Sequence, residues 1–282
     1  MNTTCICVLN YNNGLKTTRC ISSVLDQTSK NFRLIIIDNN STDDSLLIIQ
    51  EFLRKNQVDF RFAEQSDMEG DIVSSTWDVL VVKSQKNGGY SCGNNIAIRI
   101  ARSMNIFSNL LIINNDVVLK EGFLEEMIKR YEDLRRQRNT EKIALGATEL
   151  GANGKIHHNG FHYIHLLSGI TFNSPYFPSF KYINGSCIFL DNEAPLMDES
   201  FFLYFDDVQY SKILRRENYI LENSPHSQYI HEPGGTYKKK LQWLIFKSLV
   251  RFYRLNYPVL MPVVVPLRLL LIFYLRIKTM IN

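Results

Sequence analysis

Asn114, Asn115 and Asp116 are the polar residues whose placement most strongly suggests chemistry, because they directly follow the apolar run 110–113. Four consecutive apolar residues are typical of a strand that is buried on both faces of a sheet. In open α/β sheets, ligands collect at the carboxyl ends of strands. A carboxylate there can hold a hard divalent cation that bridges to phosphates. The alternative is a polar turn, because Asn and Asp favour turns.

Asp206 and Asp207 form an adjacent carboxylate pair before a predicted helix. A carboxylate near the carboxyl edge of a sheet can act as a general base toward a hydroxyl group. The alternative is a structural role, because the helix macrodipole favours acidic residues in the first turn. His231 precedes a Gly-Gly turn and is a weak signal by itself.

Residues 87–95 form a glycine-rich turn that opens a predicted helix. Its glycines permit close backbone approach, and a helix N-terminus favours negative charge. The spacing matches neither the dinucleotide-binding fingerprint nor the P-loop, so the sequence predicts neither of these sites.

Strands and helices alternate along the first half of the chain and must position these residues. Apolar strands are predicted at 4–12, 32–38, 78–82 and 110–116, with a short one at 58–62, and the helices between them include 15–28, 96–104 and 122–138. This alternation predicts an α/β fold whose central, mostly parallel sheet is flanked by helices. Residues 142–172 and 182–190 read as partly antiparallel strands. For His157, His158, His162 and His165 the spacing favours surface or core roles over metal binding.

The composition is that of a globular protein, with 45% hydrophobic and 21% charged residues in a chain of 282. The five cysteines are scattered and show no paired metal-ligand spacing. The N-terminus does not resemble a secretory signal, so a reducing cytoplasm is expected.

The C-terminal segment differs in charge from the rest of the chain. Residues 233–282 contain nine basic and no acidic residues, whereas the other 232 residues carry 23 basic and 28 acidic groups. Basic residues among Trp, Phe and Leu predict a peripheral contact with an anionic membrane surface. Prolines 258, 262 and 266 argue against a spanning helix. The alternative is a pair of helices packed on the main domain. A nucleic-acid partner is not expected.

Together these stretches resemble the family 2 glycosyltransferases, which have the GT-A (Rossmann-like) fold, and in particular the rhamnosyltransferase-like group of bacterial polysaccharide biosynthesis. The resemblance covers residues 4–237, and its order and spacing are more specific than any one motif. The matching stretches are 8–12, 37–43, the turn 87–95, Asn114–Asp116, Gly185–Ser186, 202–207 and His231.

On the donor side, the resemblance implies that Asp38 binds a uracil or thymine base and that Asn10 and Asn12 line the same pocket. The turn would close over the nucleotide, and Asn114 and Asn115 stand in the metal motif of the family, whose first position is here Asn rather than Asp. The turn residues concerned are Asn87, Gly88, Gly89, Asn94 and Asn95.

On the catalytic side, Asp116 and His231 would bind Mg²⁺ or Mn²⁺, which neutralises the leaving diphosphate. Asp207 matches the catalytic base, and Asp206 would orient the acceptor or the base. The Asn at position 114 reduces the charge of the metal motif and weakens the expectation of tight metal binding.

The resemblance therefore implies an inverting transfer of a sugar from a UDP- or dTDP-sugar, possibly dTDP-rhamnose, to a lipid-linked saccharide. Such a reaction would build O-antigen, capsule or cell-wall polysaccharide at the inner face of the cytoplasmic membrane. The expected organisation is a GT-A domain at 1–237, with a donor half at 1–118 and an acceptor half at 119–237, followed by a basic amphipathic helical segment at 238–282. The alternatives are a noncatalytic binding subunit and a nucleotidyltransferase; a nucleotidyltransferase usually has a glycine- and arginine-rich loop, and none precedes Asp38.

Overall fold

A computed structural model describes residues 3–67, 77–151, 153–232 and 239–281, with side chains in the last range from 242 to 273. The predicted boundary at 237/238 lies outside the described residues. So do the side chains of five basic residues of the C-terminal segment, namely Lys238, Lys239, Lys240, Arg276 and Lys278.

The first half forms the parallel part of a ten-stranded sheet, as the strand–helix alternation predicted. Its spatial order is β3-β4-β2-β1-β5, and every neighbouring pair is parallel. These strands are β1 (Thr3–Asn10), β2 (Phe32–Asp38), β3 (Phe60–Glu64), β4 (Val79–Lys83) and β5 (Phe107–Asn114).

The second half adds strands of mixed direction, again as predicted. The new strands are β6 (Val117–Leu119), β7 (Ile143–Leu150), β8 (Ile156–His158), β9 (Phe161–His165), β10 (Thr171–Phe172), β11 (Ser179–Ile183), β12 (Cys187–Asp191) and β13 (Ile220–His231). The sheet continues from β5 as β12-β7-β13-β6, and β8 pairs with β7. β12 is antiparallel to both neighbours, whereas β13 is parallel to β7. A small separate sheet has the order β10-β9-β11.

Helices cover both faces of the large sheet. They are α1 (Gly14–Leu25), α2 (Ser45–Lys55), α3 (Gly89–Met104), α4 (Phe123–Arg138) and α5 (Asp206–Arg216). Successive residues of one strand belong to opposite cores: Ile35 packs in one hydrophobic cluster and Ile36 in the other. This explains why the central strands are apolar without alternation.

Two further helices end the chain, α6 (Lys239–Asn256) and α7 (Met261–Ile281). α6 packs on the main domain through Leu249, Phe252 and Tyr253, which are fully buried beside Phe205. For α6, the structure therefore agrees with the alternative given above, in which the C-terminal helices pack on the main domain. Among the residues described, we find no helix with the length and apolar character needed to cross a membrane.

Candidate active site

Parallel pairing brings three predicted residues to the same edge of the sheet. Asn10 lies opposite Asp38 in the β1–β2 register, and Leu9 lies opposite Asn114 in the β1–β5 register. The carboxyl ends of β1, β2 and β5 thus meet at the position where open α/β sheets bind ligands.

Asp38 is the centre of a buried hydrogen-bond network and is only 1% exposed. Its Oδ1 accepts hydrogen bonds from Asn10 Nδ2 (2.7 Å) and Ser41 Oγ (2.6 Å), and its Oδ2 accepts one from Ser41 N (2.9 Å). Asn10 Oδ1 accepts from Thr17 Oγ1 (2.6 Å) and Asn115 Nδ2 (3.3 Å). The network fixes the loop after β2 relative to the turn after β5.

Asn12 holds the same loop from the exposed side. It has a left-handed backbone (φ 50°), which Asn tolerates better than most residues. Its Oδ1 accepts a hydrogen bond from Thr42 N (2.8 Å), and its backbone N–H donates to Ser41 Oγ (2.9 Å). Asn12 therefore helps to fix the loop after β2, and its place in the donor site stays a prediction.

The glycine-rich turn lies against the loop after β2. Asn39 Nδ2 donates to Asn87 Oδ1 (3.0 Å) and to the carbonyl of Gly89 (3.1 Å). Gly89 has φ +82°, and a Cβ there would lie 2.1 Å from the carbonyl oxygen of Phe202. Glycine is therefore required at this position because the turn packs directly on the loop that precedes Asp206.

Asn94 and Asn95 have their amides inside the protein. Each is 1% exposed, and Asn94 Nδ2 donates to the carbonyl of Tyr90 (3.0 Å). Asn95 Nδ2 donates to the carbonyl of Met197 and to Glu199 (both 2.9 Å). This geometry gives both residues a role in fixing α3, and their place in the donor site stays a prediction.

Asp116 and His231 come together although they are 115 positions apart in the sequence. Glu232 N donates to the carbonyl of Asp116 (2.8 Å), and His231 Nε2 lies 3.0 Å from Asp116 Oδ1. Two ligand atoms that each lie about 2.1 Å from one octahedral ion are about 3 Å apart. The pair therefore fits one divalent cation, and the mixed oxygen and nitrogen ligands suit Mn²⁺ better than Mg²⁺.

His231 is held on its other side by Glu149, with 3.3 Å between Nδ1 and Oε2. Burial lowers the pKa of His231, but the contacts with Asp116 and Glu149 outweigh burial and raise the pKa to about 9. At neutral pH the imidazole is therefore protonated on both nitrogens and positively charged between the two carboxylates. A metal ion would replace the proton on Nε2.

Glu149, His157 and His158 form a second group whose ligand-type atoms all lie within 4.8 Å of one another, so the group could hold a metal ion. Burial of Glu149 favours its protonated form, but hydrogen bonds from His158, His231 and His157 hold its pKa well below the usual range. His158 is buried, which agrees with the predicted core role. The side chain of His157 is 60% exposed, which agrees with the predicted surface role.

Asp206 and Asp207 begin α5, directly after Tyr204 and Phe205, which both have positive φ angles (65° and 63°). Asp207 Oδ1 accepts a hydrogen bond from Val208 N (2.8 Å), and Oδ2 accepts one from Gly185 N (3.2 Å). Burial raises the pKa of both carboxyl groups, and the charge of Asp207 raises the pKa of Asp206 further. Non-glycine residues with positive φ are strained and persist only where the surroundings enforce them, often at functional sites.

A cavity of about 400 Å³ connects this carboxylate pair with the end of β5. Asn114 lines one side and Asp207 lines another, so the cavity joins the predicted donor and catalytic residues. Its walls also include Tyr90, Tyr182, Ile245 of α6 and Arg268 of α7. A larger cavity, about 660 Å³, lies at the opposite edge of the sheet and contains none of the predicted site residues.

Several residues of these networks were not predicted from the sequence, namely Thr17, Ser41, Tyr90 and Glu149. A signal existed for Glu149, because it is a carboxylate in a strand of otherwise mostly apolar residues. Buried carboxylates are rare unless they are paired. Its partners are distant in sequence, and therefore only the fold reveals them.

Comparison with known proteins agrees with the resemblance at the level of family and fold. Residues 5–137 match the family described as "Glycosyl transferase family 2". The glycosyltransferase GlyG of Streptococcus pneumoniae is 24% identical over 123 residues, which are 44% of this chain and 33% of GlyG. The low-salt glycan biosynthesis hexosyltransferase Agl10 of Haloferax volcanii is 24% identical over 147 residues, which are 50% of this chain and 48% of Agl10. The chain thus spans a third to a half of the length of these relatives.

Solved structures share the fold across most of the chain. GalNAc-T7, crystallised with UDP, GalNAc and Mn²⁺, superimposes with a TM-score of 0.64 at 12% identity, covering 90% of this chain and 48% of GalNAc-T7. The mannosyltransferase PcManGT of Pyrobaculum calidifontis, crystallised with GDP-Man and Mn²⁺, gives 0.57 at 9% identity, covering 89% and 63%. Residues 5–137 are therefore similar to the family 2 glycosyltransferases, and the chain has the GT-A fold.

Proposed function

We propose that this protein is an inverting glycosyltransferase that moves a sugar from a UDP- or dTDP-sugar to a hydroxyl group of a lipid-linked saccharide. The observation that carries the proposal is the cavity that joins Asn114, at the end of a donor-side strand, to the carboxylate of Asp207. We assign the protein to the rhamnosyltransferase-like group of polysaccharide biosynthesis on the motif order given above.

The donor nucleotide would lie at the ends of β1 and β2, beneath the turn that begins at Asn87. Asp38 Oδ2 accepts one hydrogen bond among the described residues, from Ser41 N. A carboxylate oxygen accepts about two hydrogen bonds, so one position is left for the N3–H of uracil or thymine. Asn12 and the rest of the loop after β2 would line the ribose side.

Asp116 and His231 would hold the divalent cation, with Asn114 and Asn115 beside it. When bound, the ion would supply positive charge against the negative charge that develops on the leaving diphosphate. The Mn²⁺ in the structures of GalNAc-T7 and PcManGT supports this choice of metal.

Asp207 would act as the general base. It would take the proton of the acceptor hydroxyl while that oxygen bonds to the anomeric carbon and the bond from this carbon to the diphosphate breaks. The N–H groups of Gly185 and Val208 orient the two oxygens, and each oxygen keeps an acceptor position for the incoming proton. A pKa raised by burial brings the carboxylate closer to the working pH, which favours base catalysis.

The C-terminal helices would bring the enzyme to the inner face of the cytoplasmic membrane, where a lipid-linked acceptor resides. An apolar groove between α6 and α7 has a volume of about 540 Å³ and is lined by Trp243, Pro266, Leu269, Leu270, Ile272 and Phe273. Leu270 and Phe273 are 65% and 64% exposed. The exposed basic residues Lys247 and Arg254 lie on α6, and a helical segment that combines exposed apolar and basic residues is typical of an anionic interface.

Thermal unfolding with nucleotides tests the donor assignment. We expect UDP or dTDP to raise the melting temperature when Mn²⁺ is present, because a ligand that binds only the folded state stabilises it, by about 2.7 kcal/mol at a hundredfold excess over Kd. GDP and CMP serve as controls, and Asp116→Asn should remove the Mn²⁺-dependent part of the shift. The absence of any shift in the wild type, or a shift with GDP alone, would contradict the assignment.

A further inference from the structure

Glu149, which the proposed chemistry does not use, is the most heavily hydrogen-bonded carboxylate near the site. It is 6% exposed and lies at the end of β7. His157 Nδ1 and His158 Nε2 both lie 2.8 Å from its oxygens, Tyr229 OH lies at 3.2 Å, and His231 Nδ1 lies at 3.3 Å. Three imidazoles and a phenol thus converge on one buried group.

The backbone of Gly160 determines which nitrogen of His158 carries the proton. Gly160 N donates a hydrogen bond to His158 Nδ1 (3.0 Å), so Nδ1 has no proton and a neutral ring must carry its proton on Nε2. That proton points to Glu149. The amide nitrogen of Asn184 also lies 2.8 Å from Nε2, but its oxygen accepts from Ser186 N (2.9 Å), and its N–H group has another acceptor in His162 Nε2 (3.1 Å).

This tautomer makes His158 a hydrogen-bond donor to Glu149 and a poor metal ligand. To bind an ion through Nε2, the ring would have to lose that proton while Nδ1 still accepts from Gly160. The group of Glu149, His157 and His158 is therefore arranged to fix the carboxylate rather than to coordinate an ion.

Glu149 is fixed from the sheet as well. It pairs with Tyr229 in the β7–β13 register, and the Tyr229 hydroxyl, which is fully buried, also lies 2.6 Å from Ser186 Oγ. The carboxylate is thus held from two strands and cannot swing toward the ion site without losing these contacts.

We propose that Glu149 is the positioning residue for the metal ligand His231. It accepts the proton of His231 Nδ1, which leaves Nε2 as the nitrogen that faces Asp116 and the divalent cation. The inference rests on the proposed metal site at Asp116 and His231. Carboxylates that fix the tautomer and the ring orientation of a ligating histidine typically contribute 10–100-fold to metal affinity.

The test is titration of the full chain with Mn²⁺ at saturating UDP or dTDP, whichever binds, with free Mn²⁺ followed by electron paramagnetic resonance. We expect Glu149→Gln to weaken Mn²⁺ binding by about 10–100-fold, with nucleotide binding in the absence of metal unchanged. His157→Gln is the matched control, because it removes one exposed partner of Glu149 and leaves the contact with His231. It should bind Mn²⁺ within about twofold of the wild type, an effect below the range expected for a positioning residue.

Two outcomes would overturn the inference. If Glu149→Gln binds Mn²⁺ like the wild type, Glu149 does not position His231. If His157→Gln loses as much affinity as Glu149→Gln, the ion binds at Glu149, His157 and His158 themselves. Should Glu149→Gln fail to fold, Tyr229→Phe removes one donor to the same carboxylate and should still weaken binding measurably; unchanged binding would contradict the proposal. A wild type that binds no Mn²⁺ would instead refute the metal site of the proposed function.

Discussion

Two adjacent carboxyl groups with different surroundings can divide acid and base roles between them. Backbone hydrogen bonds favour the ionised form of both groups, from Gly185 and Val208 for Asp207 and from residues 204 and 206 for Asp206. Asp206 is 8% exposed and also lies next to the charge of Asp207. Burial raises both pKa values, and the charge of Asp207 adds to the rise for Asp206. A carboxyl group whose pKa is raised toward the working pH suits the role of base that we propose for Asp207.

The raised pKa of Asp206 predicts a pH-dependent cost in stability. Its pKa in the folded protein lies above that of the unfolded chain, so the folded state binds the proton more tightly. Stability is therefore lost as pH rises from about 4 toward the raised pKa, and the cost is absent below this window. We expect Asp206→Asn to be more stable than the wild type by about 1–3 kcal/mol at pH 8 and about equal at pH 4.

Urea unfolding of both proteins at the two pH values measures this difference. Glu217→Gln, an exposed carboxylate at the other end of α5, is the control and should stay within about 0.5 kcal/mol of the wild type. An Asp206→Asn protein that is less stable than the wild type at pH 8 would refute the electrostatic argument.

At the scale of elements, two contacts connect the donor side to the base. Tyr90 N, in the first turn of α3, donates to the carbonyl of Phe202 (2.9 Å), and Tyr90 OH donates to the carbonyl of Gly185. Both acceptors belong to segments that position Asp207. Substitutions in the glycine-rich turn are therefore expected to disturb the base as well as the nucleotide.

The helices α6 and α7 carry the prediction about the membrane. We expect the full chain to sediment with vesicles that contain phosphatidylglycerol and much less with pure phosphatidylcholine, because only the former attracts the basic residues. Leu270→Glu with Phe273→Glu should weaken this binding at least about tenfold, since burial of each side chain contributes about 1.5–3 kcal/mol.

The matched control is Leu47→Glu, which changes a leucine that is 53% exposed on α2. It should bind vesicles like the wild type. Equal loss of binding in both variants, or no loss in either, would show that the groove between α6 and α7 does not contact lipid.

At the scale of the whole molecule, the sequence predicted best where local pattern and burial coincide. The apolar runs of β1, β2, β4 and β5 are buried on both faces, so their composition alone indicated central strands. The sequence did not indicate β13 as one strand of 12 residues, because the strand contains Glu222, Asn223 and Ser224 and shifts its register between Ser224 and Gln228. Polar residues and a bulge conceal such a strand from a search for apolar runs.

The residues of the candidate site also differ in whether a local sequence pattern could indicate them. Asp38, Asp116 and Asp207 follow or precede recognisable elements and were therefore identified from the sequence as candidates. The network around Glu149 joins three strands, and no local pattern predicts contacts that the sheet topology creates. The orientation of Asn94 and Asn95 was also inaccessible, because both the turn and the helix interior tolerate Asn.

The most direct test of the central claim separates binding from transfer in Asp207→Asn. With the donor that binds the wild type and a lipid-linked acceptor, release of the nucleoside diphosphate should fall by at least about 100-fold, because general base catalysis contributes about 10²–10⁴. Donor affinity should stay within about twofold of the wild type, since the base touches the acceptor rather than the nucleotide, and Glu217→Gln should match the wild type in both measurements. Turnover of Asp207→Asn within about threefold of the wild type would contradict the assignment of Asp207 as the base.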